Sequence, residues 1–151
     1  MPYWLMKTEP SCFSIDDLEK KQVEHWDGVR NYQVRNFIRD EMKLKDQTLI
    51  YHSSCAVPGI VGIAEISKKA YPDFTAFDPP HEHYDPKSDP VNPRWWMVDV
   101  KFKRKFTATL TLGMLRERED LHDLIILRRG NRLSITPVTP AQWQIILALA
   151  R

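Results

Sequence analysis

Residues 139–150 read TPAQWQIILALA. Thr139 is a good N-cap, Pro140 suits the first helical position, and Gln142 completes a capping box, so a helix starts here. The rest of the stretch is almost wholly apolar. A helix without a polar face must be buried. The chain therefore has to build a broad apolar surface that covers it, and this demand governs the reading of everything upstream.

Upstream, the pattern is mostly strand. Residues 3–8 read as a strand. Ser14-Ile15-Asp16-Asp17 pairs a serine N-cap with an acid at the third helical position, so a short helix runs to about Lys20. A second helix ends near Met42. Residues 47–53 form a strand with TLIYH at its centre. A turn at Pro58-Gly59 leads into GIVGIAEI, residues 59–66, whose glycines permit close approach of another backbone. In residues 95–106, Trp96, Val98, Val100 and Phe102 alternate with a more polar set, giving one core face. Residues 111–119 look like a short helical turn, 120–127 are ambiguous, and 132–138 are a strand. Five or six strands, several apolar on both faces, predict an α+β fold. The expected form is a strongly curved mixed β-sheet or partial barrel, flanked by short helices, in a single domain over 1–151.

Between these strands, residues 71–94 hold six prolines and no helical period. A loop of this length is usually functional or disordered. Its aromatics Tyr71, Phe74, Phe77 and Tyr84 predict that it packs on the body. Within it, His81-Glu82-His83, with Asp78 and Asp85 nearby, resembles a metal tract but lacks a matching second ligand pair. No metal and no cofactor are expected.

Charge narrows the function classes only locally. The net charge is +2, which does not demand a polyanionic partner. KFKRK at 101–105 and the group Arg128, Arg129 and Arg132 could still form a basic patch for phosphate contact. No signal peptide and no membrane helix are expected. Cys12 and Cys55 are too few for a disulfide framework or zinc ribbon, which points to reduced thiols and a cytoplasmic or nuclear setting.

The stretch WDGVRNYQVRNFIR, residues 26–39, carries Arg-Asn twice. On one continuous helix, Val34, Phe37, Ile38 and Met42 form an apolar stripe. Arg30 and Asn31 extend that stripe inward in the first turn, while Arg35 and Arg39 lie outside it. Asn31 suits an N-cap, and free amides at that end favour an anion or carbonyl-rich ligand. Arg30 could instead be an internal ion pair with Glu9 or Asp27, Asn31 a cap alone, and Trp26 core packing.

Taken together, YWLMKTEP at 3–10, SIDDL at 14–18, WDGVRNYQVRNFIR, YHSS at 51–54, GIVGIAEI, AYPD at 70–73 and NRLSITPVTPAQW at 131–143 resemble the EVE domain family. The resemblance implies a PUA-like fold related to the YTH domains, and recognition of a modified base in DNA or RNA. It places a pocket at Lys7, Thr8 and Glu9 and makes Trp26 a wall. To these it adds Arg30, Asn31 and Tyr32 at the helix start, then His52, Ser53 and Ser54, then Arg132 and Ser134. The indole would stack on a flipped base. Glu9 would accept from an exocyclic amine, and Asn31 and the serines would read ring edges. Arg30, Arg132 or Lys7 would hold a phosphate. Tyr71, Phe74, Phe77, Tyr84 and Trp95 are candidates to complete the cage. The implied partner is nucleic acid carrying a modified base, bound by a monomer in the cytoplasm, on the nucleoid or in a nucleus, with no membrane involved.

Two alternatives stay open. Lys7, Glu9, Tyr51 and His52 could support nuclease or nucleotide-processing chemistry, although no nucleophile-base-orienter spacing is visible. Cys55, three residues from His52, is a possible nucleophile, but free cysteines are more often structural. A protein-interaction module is the third reading.

Overall fold

The computed structural model describes residues 3–150. Apolar residues on both faces of the first strand decide the layering. In β1 (Tyr3–Thr8), Trp4 and Met6 point into one apolar cluster and Leu5 into another. β3 (Gln47–His52) repeats this, with Ile50 in the first cluster and Leu49 and Tyr51 in the second. A sheet that is apolar on both sides needs a covering layer on each.

The first face is covered by α1 (Ile15–Lys21) and α2 (Tyr32–Asn36); the short strand β2 (Val23–His25), between them in sequence, joins the edge of the sheet. Ser14 and Asp17 form the expected capping box of α1, and Ile15 and Leu18 are its buried residues. The second face is covered by α3 (Leu112–Arg116) and α4 (Pro140–Leu149). Thr139 and Gln142 form the capping box of α4. The helix is not wholly buried, however. Trp143 and Ile146 are buried and Trp143 stacks on Tyr3, while Ile145, Leu147 and Leu149 are partly covered. One sheet face can cover only one side of a helix.

The sheet has six strands in the order β2-β5-β4-β3-β1-β6. Here β4 is Gly59–Pro72, β5 is Trp96–Thr111 and β6 is Ile135–Val138. β1 and β3 are parallel, and every other pair is antiparallel. The result is a curved, open mixed sheet and not a closed barrel. Curvature is built where β4 meets β5, whose register shifts at four places; such bulges bend and twist a pair. Gly62 sits at one of them. A Cβ there would strike the Arg104 carbonyl and stand 2.8 Å from Cδ1 of Ile15. Glycine therefore permits both the bulge and the seating of α1.

Three local departures from the sequence reading bear on the site. β2 is an addition to the expected strands. β6 begins at Ile135, leaving Arg132 exposed outside it. The second helix starts only at Tyr32, and its last turn, Phe37–Glu41, is a π-turn closed by the Met42 amide on the Phe37 carbonyl at 2.8 Å. Val34, Ile38 and Met42 are buried as the stripe predicts. Arg30 precedes the helix, so the helical wheel does not govern where it points.

Candidate functional site

The C-terminal end of β1, the turn into α1, the segment after β2 and the tract 81–83 surround a cavity of about 620 Å³. This size suits a small ligand. Each wall has a local cause. The Lys7 amide donates to the Ser134 carbonyl at 2.8 Å, which brings Ser134 beside Lys7 and Thr8. The Thr8 hydroxyl donates to the Phe13 carbonyl at 2.8 Å and folds the start of α1 over the end of β1. The Trp26 amide donates to the Val98 carbonyl at 2.8 Å, anchoring the next segment to β5. Trp26 and Phe13 then meet edge to face, with ring centres 6.2 Å apart, and both line the cavity.

Arg30 ties the proline-rich loop to this wall. Its guanidinium donates to Asp73 Oδ2 at 3.1 Å, to the Val29 carbonyl at 2.8 Å and to the His83 carbonyl. It also lies over the Trp95 ring at 5.4 Å. The pairing partner is Asp73, not Glu9 or Asp27. Asp73 is fully buried and also accepts from the Gly28 amide and the Thr75 amide, each at 2.9 Å. Burial alone would raise its pKa, but the bonds from Thr75, Gly28 and Arg30 prevail and hold the carboxyl below its ordinary value. Arg30 is thus engaged as a latch and has little capacity left for a phosphate.

The charges facing the cavity nearly balance. Lys7, Lys21 and Arg30 face Glu9, Glu24, Asp27 and Glu82, and Lys21 pairs with Glu24 at 3.0 Å. Burial lowers the Lys7 pKa. Such a lining fits a neutral polar ring better than a polyphosphate.

Of the residues singled out in the sequence, Lys7, Thr8, Glu9, Trp26, Arg30 and Ser134 line the cavity. The other six that the resemblance placed in the pocket, Asn31, Tyr32, His52, Ser53, Ser54 and Arg132, lie elsewhere. Asn31 is the N-cap of α2, its Oδ1 accepting the Val34 amide at 3.0 Å. Tyr32 stacks on Trp95 with centres 5.0 Å apart and lines a second, smaller groove with Arg35, Arg39, Lys87 and Arg94. His52 Nε2 accepts the Ile15 amide at 3.1 Å, satisfying a free N–H at the start of α1. Ser53 donates its amide to the Thr8 carbonyl at 3.0 Å, Ser54 has φ of 54°, and neither serine reaches the cavity lining. None of Tyr71, Phe74, Phe77, Tyr84 and Trp95 lines the cavity either. The loop instead presents His81, Glu82 and His83 there, while Phe74 and Tyr84 remain substantially exposed. Sequence reasoning also missed Phe13, His25 and Asp27 as lining residues. Two signals pointed that way: the capped start of α1, which fixes Phe13 beside the end of β1, and the His-X-His tract.

The model of the EVE domain family matches residues 2–149. The chain belongs to the EVE domain family. Mouse thymocyte nuclear protein 1 is 44% identical to this EVE domain, over 97% of the chain and 73% of the relative. A Pseudomonas syringae protein of known crystal structure is 48% identical, with 99% of each chain covered and a TM-score of 0.95. Human THYN1, solved in complex with 5-methylcytosine containing DNA, is 41% identical at a TM-score of 0.93, covering 100% of this chain and 98% of that one. Among the described residues of the EVE domain, no helix is long and apolar enough to cross a membrane.

Proposed function

We propose that this EVE domain binds DNA and seats one modified base, flipped out of its strand, in the cavity bounded by Trp26 and Phe13. The observation that carries this is the human relative bound to 5-methylcytosine containing DNA, set beside a cavity with an aromatic wall and nearly balanced charge. The ligand class is a methylated pyrimidine. Trp26 stacks on the flipped ring and covers its methyl group, whose apolar surface leaves water on entry. Glu9 accepts from the exocyclic amine. Lys7, Thr8 and Ser134 address the ring edge or the adjoining phosphate. His52 and Ser53 support the lining from behind through the Ile15 amide and the Thr8 carbonyl, and Arg132 meets the backbone from the surface. The groove of Tyr32, Arg35, Lys87 and Arg94 tracks the flanking strand, supplying sequence-independent phosphate contacts. The role is recognition, not catalysis, and it is exercised where DNA is, on a nucleoid or in a nucleus.

Fluorescence anisotropy on matched oligonucleotides with one cytosine or one 5-methylcytosine tests this reading. The methylated strand binds at least about tenfold tighter, and Trp26→Ala removes the difference, since losing a base-stacking aromatic costs roughly 1–3 kcal/mol. Equal affinity of the unaltered protein for both strands sinks the proposal.

A further inference from the structure

The sequence presents His81-Glu82-His83 as a metal-like tract that lacks a second ligand pair, and the fold supplies the missing ligand from elsewhere. Asp27, in the turn after β2, lies against the tract. One ligand atom from each of Asp27, His81 and His83 falls within 4.8 Å of the other two. The geometry points to a binding site for a divalent transition metal of the zinc type, formed by Asp27, His81 and His83 at the rim of the cavity.

Spacing comes first. Donors about 2.0–2.2 Å from a tetrahedral zinc ion stand about 3.4 Å from one another. His83 Nδ1 is 3.5 Å from Asp27 Oδ2, so this pair already has metal-bound spacing. The remaining gap closes by rotation of the His81 ring, which is only half-buried. That ring now accepts the His83 amide at Nδ1, 3.0 Å away.

Two further observations concern His83. Its Nδ1 is shielded from solvent and has no hydrogen-bond partner. A buried polar atom left unpaired requires an explanation, and a bound ion is one. The backbone also makes room for the ring. Gly28 has φ of 78°, and a Cβ there would stand 2.6 Å from His83 Nε2. Only glycine lets this imidazole lie against the turn that carries Asp27. The His83 carbonyl is held by Arg30, which is itself anchored on buried Asp73. Ligands fixed from behind in this way hold a metal better than free loop side chains.

The donor set selects the metal. Two imidazoles and one carboxylate suit zinc-like ions, whereas calcium and magnesium prefer oxygen donors throughout. Asp78 is not part of the cluster, and Asp85 is engaged by the Trp95 indole at 2.6 Å. All three ligands line the cavity, so a fourth position, filled by water, opens toward it.

The metal alone tests this, with no nucleic acid present, so the result stands apart from that of the DNA-binding reading. The metal-free, tag-free chain is titrated with Zn²⁺ by calorimetry and with Co²⁺ by visible absorption. One equivalent binds, with the intense d–d bands of a four-coordinate site. Asp27→Asn, His81→Gln and His83→Gln each weaken uptake by about tenfold or more. Zn²⁺ raises the melting temperature of the unaltered chain by mass action. Absence of saturable uptake overturns the proposal, as does uptake that is the same in all three variants. If His83→Gln does not fold, the other two decide.

Discussion

Removing the Asp73 carboxylate tests whether the Arg30–Asp73 latch holds the proline-rich loop. Asp73→Ala deletes the acceptor of the Gly28 amide at 2.9 Å, the Thr75 amide at 2.9 Å and the Arg30 guanidinium at 3.1 Å. The carboxylate is fully buried and the Arg30 side chain only 26% exposed. Breaking a buried pair by removing one partner costs about 3–5 kcal/mol, because the other charge stays behind. The partial exposure of Arg30 places this case near the lower end, at about 3 kcal/mol. In a chain of this length that lowers the melting temperature by roughly 6–12 °C. Urea unfolding with a double-mutant cycle is the assay. Asp73→Ala and Arg30→Met should be non-additive by about 1 kcal/mol or more, since the residues touch. A loss below about 1 kcal/mol for Asp73→Ala would refute the latch, because a single ordinary hydrogen bond is worth that much.

His52 accepts the Ile15 amide, and burial lowers its pKa below the ordinary 6.5; the unfolded chain therefore takes up a proton first, and this contribution to stability is intact above pH 6.5 and declines as pH falls below it. Melting temperatures between pH 7.5 and 5 should fall less steeply in His52→Gln than in the unaltered chain. Asn31→Ala should cost about 1 kcal/mol in urea unfolding by uncapping α2. Gly62→Ala should cost about 1–3 kcal/mol by driving a methyl group into Ile15 and the Arg104 backbone, and unchanged stability would remove the steric reason given for that glycine.

What was legible in the sequence was whatever is encoded locally. Both capping boxes read correctly, because Ser14 with Asp17 and Thr139 with Gln142 are three residues apart and satisfy their own helix ends. The alternation of Trp96, Val98, Val100 and Phe102 also read correctly, since all four join one cluster. β2 was missed because Val-Glu-His is too short to show a period. The tail of β4 was missed because Lys68 and Lys69 are exposed beyond Glu65, where pairing with β3 ends and only β5 continues alongside. The site was legible only in part. Trp26 and the end of β1 were expected together and do line one cavity, but the role of Arg30 depends on Asp73, which lies 43 residues away. No periodicity joins the two. The same holds for the tract at 81–83, whose place beside Asp27 is set by that latch and by the bare backbone of Gly28.

On the proposed function the cavity, and not the outer groove, takes the base. Backbone amide and Trp indole N–H resonances, recorded during titration with a 5-methylcytosine oligonucleotide, separate the two. The Trp26 indole and the Gly28 and Ser134 amides should shift with the methylated strand and not with its unmethylated match, while Tyr32, Arg35 and Arg94 shift with both. Shifts confined to the Tyr32–Arg94 groove, identical for the two strands, would contradict it.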